Sequence, residues 1–187
     1  MSDEGVEMKK QPEVTEKTRN TMIQTFCAMY EQMPVEKIFI KDLMRQAGYN
    51  RSTFYQYFMD IYDLRDQVED EILELMRARK EESGKNVQAL IDLFEQKENV
   101  LKALFGTYGM VHFLEKLRSE FLLQIEPEKS EVPERYRPYL EEFHIYTSIS
   151  LFRLWIKRKK DLSKEELFGL IHTLYNEGHA GVCAKGE

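Results

Sequence analysis

Arg51, Ser52, Thr53 and Gln56 are the side chains in this sequence best suited to reading another molecule. A guanidinium matches the paired acceptors of guanine and a carboxamide matches the donor and acceptor of adenine. Hydroxyls serve bases or phosphates alike. These residues lie within one short segment, so they can meet a common ligand only if that segment is a helix held on a scaffold. Without the scaffold they would be ordinary solvated residues of a helix surface.

The flanking sequence supplies the scaffold. Ile40, Leu43, Met44 and Ala47 fall at i, i+3, i+4 and i+7 and define the buried face of a first helix. Gly48 stands where that helix must stop, because glycine adopts the left-handed backbone without steric cost. Asn50 is then expected to cap a second helix over 51–57, its side-chain oxygen accepting from an amide near Thr53. Phe54 and Phe58 are expected to pack inward, and Tyr49 to staple the turn. Two helices crossing at a short glycine turn can present the second to a DNA major groove.

The segment IKDLMRQAGYNRSTFYQYF, followed by Asp63-Leu64 and preceded by an amphipathic helix over 15–33, resembles the TetR family of transcriptional regulators. The resemblance covers roughly the first third of the chain and rests on the apolar pair, Ala-Gly, the capping residue, the Ser/Thr pair, Phe-Tyr and the closing aromatic-Phe. It implies phosphate contacts at Tyr55 and Tyr57, to which Lys41 could add another. The candidate DNA-binding set is therefore Lys41, Asn50, Arg51, Ser52, Thr53, Tyr55, Gln56 and Tyr57. Three positions depart from the family pattern. Phe39 replaces a capping Thr, and Met59 and Ile61 stand where lysines often lie near the phosphate backbone. These departures bear on the strength of DNA binding more than on the fold.

Charge is consistent with a local contact. The chain carries a net charge of −6, which disfavours wholesale polyanion binding. Lys37, Lys41, Arg45 and Arg51 nevertheless outnumber Asp42 and Asp60 in the motif. No apolar run approaches the ~20 residues of a membrane span. The polar, acidic start of the chain reads as a loose tail over 1–14 and not as a signal peptide. Cys27 and Cys183 are the only cysteines and suggest no disulfide framework, so a reducing cytoplasm is expected.

Helical spacing continues beyond the motif and no period-2 strand emerges, which predicts an all-α protein. Ile61, Leu64, Val68, Ile72 and Leu75 form the seam of a long connecting helix over 61–84. The expected organisation is a three-helix DNA-binding domain with a helix-turn-helix over 15–60, this connecting helix, and a larger helical ligand-binding and dimerisation domain over 85–187. In that last part helices are expected over 86–96, from there to Gly106, and over 108–125, 135–160 and 163–178, with a charged loop over 126–133. Ser163 and Glu166 have the spacing of a capping box. The run IYTSISLFRLWI, over 145–156, is apolar on every side, so it must be covered on two.

Aromatic side chains are abundant in this C-terminal part, and at helical spacing they are usually core. Some could also enclose a small, mainly apolar ligand, oriented by a few polar groups. The candidate ligand-binding residues are Phe105, Tyr108, His112, Phe143, Tyr146 and Arg153. Catalysis finds no comparable pattern. His112, His144, His172 and His179 are scattered without metal-ligand spacing on one helix, and there is no phosphate loop or nucleophile elbow. No metal or cofactor is expected. The resulting expectation is a dimeric transcriptional regulator, most often a repressor in the resembled family, that binds a palindromic operator and responds to a small-molecule effector. The alternative is a helical dimer that acts through protein partners and binds DNA weakly.

Overall fold

In the computed structural model, residues 12–83, 87–122 and 133–183 are described, and they are helical with no strand among them. All of the expected loop over 126–133 except Pro133, the break at Gly84 and most of the 1–14 tail lie outside these residues. Helix α1 (Pro12–Tyr30) begins inside the expected tail and stops short of Met33. Its last carbonyls are still used, since the amides of Glu31 and Met33 donate to Cys27 and Met29 at 3.0 Å each. A single 3-10 turn, Val35–Lys37, leads into α2 (Ile40–Ala47), and α3 (Arg51–Phe54) follows.

Gly48 has φ +77°, the left-handed conformation expected of it, and the next amide, that of Tyr49, donates to Met44 at 3.0 Å. The second motif helix is shorter than the 51–57 expected. The amides of Gln56 and Tyr57 donate to Thr53 and Phe54, an i→i+3 pattern that tightens 55–57 into a turn. This turn brings Phe58 back beside Phe54, with ring centroids 5.4 Å apart, and both are buried. Asn50 also differs from expectation. It has the extended backbone of a cap, but its side chain makes no capping bond, and the amide of Thr53 donates to its backbone carbonyl at 3.0 Å.

Helix α4 (Ile61–Ser83) occupies the range its apolar seam predicts. Asp60 caps it, its Oδ1 accepting from the amides of Tyr62 and Asp63 at 2.8 and 2.9 Å. Helix α5 (Val87–Leu104) breaks its helical geometry at Lys97, close to the end expected at 96 for the first of two helices. A turn through Gly109 then starts α6 (Met110–Leu122). A Cβ on Gly109 would stand 2.4 Å from the Ala103 carbonyl oxygen, so this close approach requires glycine. Helix α7 (Arg137–Lys157) is preceded by a 3-10 turn at Glu134–Tyr136, and α8 (Lys164–Cys183) begins with the expected reciprocal cap. The Ser163 amide donates to Glu166 at 2.7 Å, and the Glu166 amide donates to Ser163 Oγ at 3.1 Å.

One apolar cluster runs through these helices. Phe26, Tyr30, Leu43, Met44, Phe54 and Leu64 fill its N-terminal end. Phe94, Leu101, Leu104, Phe113 and Trp155 continue it toward the C-terminal end. Helix α1 packs on both α2 and α5, and α4 packs on α5 and α6. No described helix is long and apolar enough to cross a membrane.

Candidate functional site

Burial of Phe54 and Phe58 decides which side of the motif faces outward. Lys41, Asn50, Arg51, Ser52, Tyr55 and Gln56 are exposed, while Thr53 and Tyr57 are half-buried and Tyr57 packs against the core. Arg51 and Tyr55 form a unit. The Tyr55 hydroxyl accepts from Arg51 Nη2 at 2.8 Å and Nε at 3.3 Å, and the guanidinium carbon lies 5.6 Å from the ring centroid. The contact occupies the Nε–Nη2 edge of the guanidinium and holds this planar donor group near the start of α3. Phe39 is 66% exposed and Met59 is 78% exposed. Ile61 is instead buried and belongs to the core.

The residues expected to hold a ligand have separate partners. Phe105 packs edge-on against Phe113 and Phe152, with centroids 5.4 and 5.5 Å apart. Tyr108 is exposed, and its backbone carbonyl accepts from the Tyr30 hydroxyl at 3.3 Å. Phe143 and Tyr146 are exposed on α7. Arg153 is also exposed and points its Nη1 at the sulfur of Met110, 2.9 Å away. Only His112 of the six reaches a cluster of polar groups.

That cluster joins α4 to α6. Glu69 is fully buried, at 0% exposure, and both its oxygens lie 2.9 Å from His112 Nδ1. Lys116, one turn further along α6, approaches the same carboxylate at 3.4 Å but lies closer to Asp70, at 2.7 Å. Asp66 shares the face of α4 with Glu69 and accepts from Arg65 at 2.7 and 2.9 Å. Burial pushes the Glu69 carboxyl above its ordinary range, against the hydrogen bond of His112 and the charges of His112, Lys116 and Arg65. Spacing along one helix could not reveal this group, because His112 is 43 residues from Glu69.

A second ionic junction lies next to it. Glu71 accepts from Lys97 of α5 at 2.6 Å and from Arg19 of α1 at 3.2 Å. Cys27 offers no comparable chemistry. Burial, reinforced by the charges of Glu31 and Glu71, pushes its thiol up to about 12 and keeps it protonated.

Compared with known proteins, the chain matches no family model, and no curated protein is significantly similar to it.

Proposed function

We propose that this protein is a homodimeric, sequence-specific DNA-binding transcriptional regulator, acting as a repressor, in which α2, the Gly48 turn and α3 form a helix-turn-helix. One observation carries the reading. The left-handed Gly48 and the buried pair Phe54 and Phe58 leave Arg51, Ser52 and Gln56 together on the outward side of that turn, with Lys41 also exposed. Arg51 and Gln56 would read base edges, and Lys41 and Tyr55 would hold phosphates. In a dimer, two such units would enter successive major grooves about 34–36 Å apart.

A second set of exposed residues supports the dimer. Tyr139, Phe143, Tyr146 and Leu154 recur along one side of α7, and Leu170 and Leu174 are exposed on α8. Such a stripe is the kind of surface a second copy would cover. Control by a small effector in the C-terminal helices completes the proposal. An apolar effector would have to part Phe105 from Phe113 and Phe152, since these rings already fill one another's space.

Selection from a random pool of duplexes with the purified full chain tests the reading. The expected result is a palindromic site whose binding weakens steeply with salt. Exposed Phe39 and Met59 favour a second reading, a dimer that acts through protein partners. Equally weak binding to every duplex would favour that one.

A further inference from the structure

The polar cluster between α4 and α6 has the donor set of a cation site. Asp66 and Glu69 are spaced i, i+3 on α4, and His112 faces them from α6. One donor atom from each falls within 4.8 Å of the others. Donors bound to a tetrahedral zinc at about 2.1 Å stand about 3.4 Å apart. His112 Nδ1 and the Glu69 oxygens stand 2.9 Å apart as a hydrogen-bonded pair, and an ion between them would take the place of the shared proton. Binding would part these two side chains by about half an ångström and draw in Asp66, whose donor atom lies within 4.8 Å of both. His112 is partly open to solvent, with 39% of its side chain exposed, which leaves an entry path and room for water ligands.

Ligand type and charge select the class of ion. One imidazole and two carboxylates suit a first-row transition dication better than the all-oxygen shell preferred by calcium. Among the described residues, Lys116 brings the only ammonium within 4 Å of Glu69, at 3.4 Å. Its longer contact is to Glu69, and its shorter one, to Asp70, can persist if an ion takes its place. The lysine is thus a built-in competitor for the same carboxylate.

We propose that Asp66, Glu69 and His112 bind a divalent transition-metal ion of the zinc class, which clamps α4 to α6. Metal binding stands apart from the DNA-binding reading. Only the ion's role as an effector rests on that reading, because α4 leads directly from the motif.

The full chain is titrated with Co2+, followed by visible absorption, and the bound ion is then displaced with Zn2+. One equivalent per chain is expected. His112→Gln and Asp66→Asn each weaken binding by at least about tenfold, a loss that even outer-shell partners commonly carry. Lys116→Met tightens it, which a merely adventitious surface histidine would not do. Circular dichroism identifies any variant that fails to fold, and the remaining variants then decide. No cobalt binding, or equal binding in all folded variants, would overturn the site. Zn2+ that binds in the cluster yet leaves affinity for the selected duplex unchanged would overturn only the effector role.

Discussion

The Tyr30 hydroxyl donates to the backbone carbonyl of Tyr108 at 3.3 Å, tying α1 to the turn between α5 and α6. The Tyr30 ring is buried and packs against Phe26, with centroids 5.1 Å apart. Burial, and after it the charge of Glu69, pushes the hydroxyl up to about 12, so it remains a donor at neutral pH. Tyr30→Phe keeps the ring and removes the donor. The expected loss is about 0.5–1.5 kcal/mol in urea unfolding, the net worth of one hydrogen bond. Unchanged stability would mean that this bond adds nothing to the junction.

The sequence exposes some features of this fold and conceals others for physical reasons. Gly48, the Ser163–Glu166 cap and the extent of α4 are local, each set by residues within one or two turns of each other. The shortening of α3 is a tertiary effect, since a tighter turn is what seats Phe58 beside Phe54. Among candidate site residues, the outward set of the motif could be read from its apolar periodicity. Glu69, Asp66 and Lys116 could not, because their cluster forms only where two helices distant in sequence meet. The same limit applies to Phe105, whose ring neighbours lie on other helices.

Contacts in the motif make separable predictions about DNA. Arg51→Ala or Gln56→Ala should cost about 1–3 kcal/mol at particular base pairs of the selected site. Lys41→Ala should weaken binding evenly over all sequences and reduce the salt slope by about 1. Tyr55→Phe should also weaken all sequences, with an added loss at the base pair that Arg51 reads, because it removes the acceptor that positions Arg51. Competition binding with single-base variants of the site separates these patterns. Full affinity in all four variants would remove α3 from the groove.

Glu71 gives a pH dependence of defined sign. Burial pushes its carboxyl up, but the hydrogen bonds and charges of Lys97 and Arg19 outweigh that and hold it below its ordinary 4.5. Its contribution is therefore fully present above pH 4.5 and is lost as pH falls through the lower folded-state value. Glu71→Gln should destabilise the protein at neutral pH. The cost should be small, about 0.5–1 kcal/mol, because these side chains are all partly exposed. Denaturation at a series of pH values should show wild type and variant converging in acid. Curves that stay parallel down to acid pH would detach this carboxylate from the acid sensitivity.

The exposed stripe on α7 leads to the last prediction. Phe143 is 56% exposed and Leu154 50% exposed, while Trp155 and Ile149 on the same helix are buried. Helix α7 is thus apolar on two sides, and the chain itself covers one of them. A second copy meeting α7 and α8 across a two-fold axis would cover the other, and each apolar side chain so buried is worth about 1.5–3 kcal/mol at most. Placing a charge in such a contact leaves it unpaired away from water. Phe143→Glu combined with Leu170→Glu should therefore yield a folded monomer, whereas the natural chain should sediment as a dimer at micromolar concentration. Both residues lie outside the core, so helix content should be kept. A natural chain that sediments as a monomer would remove the interface, and with it the spacing proposed for two DNA-reading turns.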